Sequence, residues 1–129
     1  MIVDTSALVA ILRREPDALA YSRALERASR KLMAAPTLLE MSMVIIGRKG
    51  EVASAGIEQF LSRAGIEVLP FSPAAARVAV EAFIRYGKGR HPAGLNFGDC
   101  ISYAVAKTEV MPLLFKGSDF NLTDVEVAL

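Results

Sequence analysis

Four acidic residues stand where carboxylates could work together: Asp4, Glu40, Asp99 and Asp119. Asp4 directly follows the short apolar run MIV, and Asp119 follows PLLFK across a turn at Gly117. If both runs are strands of a parallel sheet, both acids lie at strand carboxyl ends, the edge at which open α/β sheets bind ligands. Glu40 lies in TLLEMSMVII, where nearly every neighbour is apolar, so its carboxylate is expected to be partly buried. Burying an unpaired charge is costly, and a cation would offset that cost. Asp99, in LNFGDCISYA, sits at a helix start, on the face away from a stripe of Phe97, Ile101, Ala104 and Val105. Carboxylate oxygens without a cysteine or histidine set suit Mg²⁺ or Mn²⁺ rather than zinc.

Each acid also has an ordinary structural role open to it. Asp4 can cap the helix that follows it. Thr37 and Glu40 read as T-x-x-E, a capping box. Asn96 can cap the helix carrying Asp99, and an acid in a first turn complements the helix dipole. Asp119 can be a plain turn residue. The set favours joint chemistry where no single member does.

The elements that must position these residues alternate along the chain. MIV reads as a strand and DTSALVAILRR as a capped helix. PDALAYSRALERAS reads as a second helix with Pro16 in its first turn. KLMAA is a short strand, PTLLEMSMVIIGRKG an apolar helix ended by Gly47 or Gly50, and EVASAGIEQFLSRAG a helix stopped at Gly65. IEVLPF is a strand, SPAAARVAVEAFIRYG a helix with a serine cap, and DCISYAVAKTE a helix after the loop KGRHPAGLNFG. PLLFK is a strand, GSDFNLTD a turn and VEVAL an edge strand. Strands alternating with helices predict a three-layer α/β/α sandwich around a mainly parallel sheet, a single domain over residues 1–129.

With 53% hydrophobic residues the chain can build a real core, and its net charge of +1 sets up no global field for nucleic acid or membrane. One cysteine allows no internal disulfide and suits a reducing compartment. No apolar stretch reaches the length of a membrane span. The chain therefore reads as cytoplasmic. Cys100 reads as a small buried apolar residue, and His91, the only histidine, as a loop residue before Pro92.

MIVDTSAL, PTLLEMS, HPAGLNFGDCISYAVAK and LLFKGSDFNLTDVEVA also resemble, in order and over almost the whole chain, the PIN domain. More narrowly they resemble the VapC-type ribonuclease toxins of prokaryotic toxin–antitoxin modules. The resemblance implies an acidic site binding Mg²⁺ or Mn²⁺ through Asp4, Glu40, Asp99 and Asp119. It implies supporting roles for Ser6 and Asn96, and Asp124 as a possible fifth acid. It further implies endonucleolytic RNA cleavage to a 5′-phosphate and a 3′-hydroxyl, a homodimer, and a cognate antitoxin whose tail lies over the acids, often presenting an arginine. Basic residues at the rim would then hold RNA: Arg13, Arg14, Lys88 and Arg90, the last two best placed because their loop runs into the Asp99 motif. The apolar runs LVAIL and LLEMSMVII are candidate dimer or antitoxin surfaces, with plain sheet packing as the competing explanation.

Two other classes compete. One is a non-catalytic RNA- or antitoxin-binding module that keeps the fold. The other is a phosphotransfer domain with an aspartate at a strand end. Ser6 stands where the dehalogenase pattern has a second aspartate, and Lys116 is a loose match for a receiver-type lysine.

Overall fold

The computed structural model describes all of residues 1–129. The strands are β1 (Ile2–Val3), β2 (Lys31–Ala34), β3 (Ile66–Leu69) and β4 (Leu113–Leu114). Between β1 and β2 lie α1 (Thr5–Leu12) and α2 (Ala18–Arg27), and between β2 and β3 lie α3 (Ala35–Lys49) and α4 (Ala53–Ala64). Between β3 and β4 lie α5 (Pro73–Tyr86) and α6 (Phe97–Glu109), and a 3-10 turn follows at Asp119–Leu122. All strand pairs are parallel, in the order β3-β2-β1-β4.

That order explains the layers. The chain steps outward from β1 to β2 to β3, then returns to lay β4 on the other side of β1. Right-handed crossovers in opposite directions put their helices on opposite faces. Val3, Met33 and Leu114 point into one core with residues of α1 to α4, among them Leu8, Leu25, Met41 and Leu61. Ile2, Leu32 and Leu113 point into the other with α5 and α6, among them Ala82, Tyr86, Ile101 and Val105. The three-layer sandwich expected from the sequence is the observed architecture. Its order reverses between β1 and β4, the switch point where open sheets form a crevice.

The helix ends follow local chemistry. Asp4 caps α1, accepting the Ser6 N–H at 2.9 Å. Ser72 caps α5, accepting the Ala75 N–H at 3.1 Å, with Pro73 in first position. Gly65, at φ +65°, ends α4 in the left-handed conformation that glycine adopts without strain.

Several boundaries differ from expectation. Pro16 lies ahead of α2, whose N-cap is Asp17. The helix α3 begins directly after β2, with Ala34 at its cap, so Thr37 is inside the helix and makes no capping box with Glu40. The expected strand IEVLPF ends at Leu69, before Pro70, which has no N–H to pair. The terminal VEVAL is reduced to one parallel bridge, Leu113 to Val127. No helix is long and apolar enough to cross a membrane.

Candidate active site

At the switch point a concavity of about 280 Å³ is lined by Asp4, Glu40, Asp99 and Asp119 together. Thr5, Ser6, Asn96 and Lys116 complete its polar wall. Residues from four separate segments, 115 positions apart at the extremes, thus meet on one edge of the sheet.

Asp4 is the buried member, and three donors hold it. Its Oδ2 accepts from the Ser6 N–H at 2.9 Å and the Ser6 hydroxyl at 2.6 Å. Its Oδ1 accepts from the Ser102 hydroxyl on α6 at 2.6 Å. Capping α1 and facing the pocket are therefore one placement, since the residue after β1 is also the residue before the helix.

Asp99 has the same double character. The Asp99 N–H donates to Asn96 Oδ1 at 3.0 Å, and the Asn96 N–H donates to Asp99 Oδ2 at 2.8 Å, a reciprocal capping box. Burial pushes the Asp99 carboxyl up to about 6 against the pull of the Asn96 N–H, and the charges of Asp4, Asp119 and Glu40 push the same way. The helix face is not quite the one expected. Phe97, placed by periodicity in the buried stripe, is 83% exposed; it is the first residue of α6, one turn ahead of the buried Ile101.

Glu40 corrects the burial expectation. It lies on the exposed side of α3, and the core is reached by Thr37, Met41 and Ile45. Its position comes from a hydrogen bond instead: the Thr5 hydroxyl donates to Glu40 Oε2 at 2.6 Å. Across the pocket its carboxylate lies against Gly98 so closely that a Cβ there would meet Oε1 at 2.6 Å. Asp119 stands exposed at the head of the 3-10 turn.

Asp124 is not brought to this pocket. It lies beside α6 further along the helix, where the Tyr103 hydroxyl donates to Oδ1 and Lys107 and Arg85 pair with Oδ2 at 3.4 and 3.7 Å. Those partners hold its carboxyl below the usual aspartate range, the Tyr103 hydrogen bond first among them. The geometry is that of a tie between the C-terminal segment and α6.

None of Arg13, Arg14, Lys88 and Arg90 lines the acid pocket. Arg13 pairs with Glu15 at 3.0 Å, Arg14 is exposed at φ +53°, and Lys88 is exposed. Arg90 donates from Nε to the Ile84 carbonyl at 3.3 Å and lies 5.9 Å from the Phe83 ring. The cation that does line the pocket is Lys116, which directly follows Phe115 at the end of the PLLFK segment. His91 accepts the Ala93 N–H on Nδ1 at 3.1 Å and stands edge-on to Tyr86. Cys100 is buried, and burial pushes its thiol up to about 11, with the Asp99 charge adding to it. Both serve packing.

Four further residues join the site: Thr5, Gly98, Ser102 and Lys116, of which the sequence singled out only Lys116, as a loose match for a receiver-type lysine. Sequence signals existed for two of the others. Ser102 is three residues after Asp99 on the same helix, hence on the same side. Gly98 occupies a helical first turn where alanine has the higher propensity, a sign of a close approach.

The donor set fits a hard divalent cation, being oxygen only and acidic. Burial first, and then the charges of Asp4, Asp119 and Glu40, penalise the charged form of Asp99, and such a cation would relieve both. As placed, no three of these side chains close around one point.

Beyond the pocket, α3 leaves Leu39 and Met43 62% and 66% exposed, so sheet packing does not account for all of its apolar surface, whereas α1 buries Ala7, Leu8 and Ala10. Leu39, Met43 and Phe97 line a groove of about 390 Å³ that shares Glu40 and Val44 with the acid pocket.

The PIN-domain model matches residues 1–126, and the chain belongs to the PIN-domain family. Its relatives narrow this to the VapC branch. The ribonuclease VapC30 of Mycobacterium tuberculosis is 46% identical over 125 residues, covering 97% of this chain and 95% of that protein. The ribonuclease VapC of Mycolicibacterium smegmatis is 47% identical over 125 residues, covering 97% of each. Among solved structures, VapC20 of M. tuberculosis, a sarcin–ricin loop cleaving toxin, superposes with a TM-score of 0.78 at 16% identity, over 99% of this chain and 97% of that one.

Proposed function

We propose that this protein is a metal-dependent endoribonuclease, the toxin of a toxin–antitoxin pair. One observation carries the reading: four carboxylates from four segments line a single pocket at the sheet's switch point. The names of its relatives at 46–47% identity, all VapC ribonucleases, support the substrate class.

Asp4, Asp99 and Glu40 are proposed to hold Mg²⁺ or Mn²⁺, with Asp119 holding a second ion or acting through water. When bound, such a cation supplies Lewis acidity and charge neutralisation to the phosphodiester. The chain's own residues orient the acids. Ser6 and Ser102 hold both oxygens of Asp4, so the carboxylate has one orientation. Thr5 fixes Glu40 Oε2, and the carboxylate lies with both oxygens against Gly98. The Asn96 N–H fixes Asp99 Oδ2. Preorganisation of this kind lowers the cost of placing a phosphodiester in line for attack. Arg13, Arg14, Lys88 and Arg90, exposed outside the pocket, are proposed to hold the RNA backbone, which four acids would otherwise repel.

A cognate antitoxin and a second copy of the chain are the proposed protein partners. The apolar groove beside Glu40 supports the first, because a segment seated there reaches the acids directly, and an arginine on it would pair with them in place of the cation. The cytoplasm is the proposed compartment.

The test is incubation of purified protein with total RNA, with and without Mg²⁺, for wild type and Asp99→Asn. Fragments with 5′-phosphate ends that require both the metal and Asp99 are expected. Cleavage indifferent to metal and mutation would overturn the reading. Tight RNA binding without cleavage would instead identify a non-catalytic module.

A further inference from the structure

We propose that Lys116 is a positioning residue of the acid pocket, an ionic latch that ties the loop bearing Asp119 to the α1–α2 connection and so holds Asp4. The proposal rests on the ribonuclease reading of the pocket. Lys116 reaches the site at both of its ends. Its backbone N–H donates to Ser6 Oγ at 2.9 Å, and Ser6 Oγ donates to Asp4 Oδ2 at 2.6 Å. Its ammonium is turned to the α1–α2 connection, where it donates to Glu15 Oε2 at 2.6 Å and Asp17 Oδ1 at 2.8 Å. Glu15 is in turn paired with Arg13.

This arrangement does two things. It closes the β4 loop at a point three residues before Asp119, with Gly117, at φ +119°, as the only intervening turn residue besides Ser118. It also directs the Ser6 hydroxyl proton. Because the Lys116 N–H fills a lone pair of Ser6 Oγ, the Ser6 proton is left to point at Asp4. Glu15 and Asp17 compensate the ammonium fully, so Lys116 adds little net attraction for a phosphate while they hold it. The charge serves geometry rather than substrate binding.

Two opposite breaks of the latch separate positioning from substrate contact. Lys116→Met removes the ammonium and keeps most of the stem. The double variant Glu15→Gln with Asp17→Asn removes the counter-charges and frees the ammonium. If Lys116 positions the site, both lower kcat about tenfold or more with KM within about threefold, as a displacement of catalytic groups does. Lys116→Arg restores most of the rate. The second readout needs no metal: in both broken forms the amide at position 116 exchanges with solvent at least about tenfold faster than in wild type, and in Lys116→Arg it does not. A raised KM at unchanged kcat in Lys116→Met, with the double variant binding RNA more tightly, would make Lys116 a substrate contact and overturn the proposal. Unchanged kcat and exchange in both forms would also overturn it. If Lys116→Met does not fold, the double variant carries both readouts. If wild type cleaves no RNA, the ribonuclease reading fails, and the amide exchange still decides the latch.

Discussion

The Ser102 hydroxyl on α6 donates to Asp4 Oδ1 at 2.6 Å, joining residues 98 positions apart across the sheet edge. Both are buried, Ser102 at 1% exposure. The bond makes the orientation of Asp4 depend on the seating of α6, the helix that also carries Asp99. Ser102→Ala leaves Oδ1 with one donor fewer in a buried setting, which typically costs about 1–3 kcal/mol. Chemical denaturation should show that loss. Cleavage should fall about tenfold while Asp4→Asn removes it almost entirely. An alanine variant with wild-type stability and rate would show that Ser6 alone orients Asp4.

Gly98 sets stability against function in one residue. In the first turn of α6, alanine is favoured over glycine by roughly 0.5–1 kcal/mol. A Cβ there would meet Glu40 Oε1 at 2.6 Å, the far end of a flexible side chain. Gly98→Ala should therefore leave the melting temperature unchanged or slightly raised, and lower cleavage at least about tenfold by displacing Glu40. A fall in both would mean that the backbone, rather than Glu40, absorbs the clash.

The sequence reads most clearly where one residue does two jobs. Asp4 and Asp99 cap helices and face the pocket, so local rules and strand-end placement point to the same residues. The parallel three-layer fold was legible from the alternation of strands and helices, which crossover handedness turns into a topology. Glu40 shows where such reading stops. Its neighbours Leu39 and Met43 are apolar yet exposed, so local hydrophobicity pointed to burial that does not occur. Thr5 was illegible, and Ser102 and Lys116 were legible as positions but not in their roles, for a different reason. Each acts through a partner that only the folded chain brings near, and one hydroxyl or amine in a sequence does not say what it will meet.

Asp124 separates the acids that share the pocket from one that does not. Its carboxylate is tied to Tyr103, Lys107 and Arg85, and the tie holds its carboxyl below the ordinary value near 3.8. A carboxyl lowered on folding contributes stability above that value, lost as pH falls through the lowered one. Asp124→Asn should therefore lower the melting temperature at neutral pH, and its gap from wild type should narrow as pH falls below the ordinary aspartate value. Cleavage should stay within about twofold of wild type, whereas Asp119→Asn should cost at least about tenfold. Equal losses from the two variants would return Asp124 to the active site.

Asp99 titrates with the opposite sign. Its carboxyl is pushed up from 3.8 to about 6, so between those values the folded, metal-free protein binds more protons than the unfolded chain. Stability of that form must fall as pH rises through the window, because the charged carboxylate is penalised only in the folded state. Asp99→Asn removes the penalty and keeps an oxygen to accept the Asn96 N–H. Near pH 4 the two proteins should melt together. By pH 7 the asparagine variant should be more stable, by about 1 kcal/mol after discounting for the partial exposure of the site. Saturating Mg²⁺ should reverse the order at pH 7, since a ligand of the folded carboxylate stabilises wild type by mass action. Thermal melts of both proteins at the two pH values, in chelator and in Mg²⁺, read all of this. An unchanged difference between the proteins across pH in chelator would mean that neither burial nor the neighbouring carboxylates raise the Asp99 carboxyl.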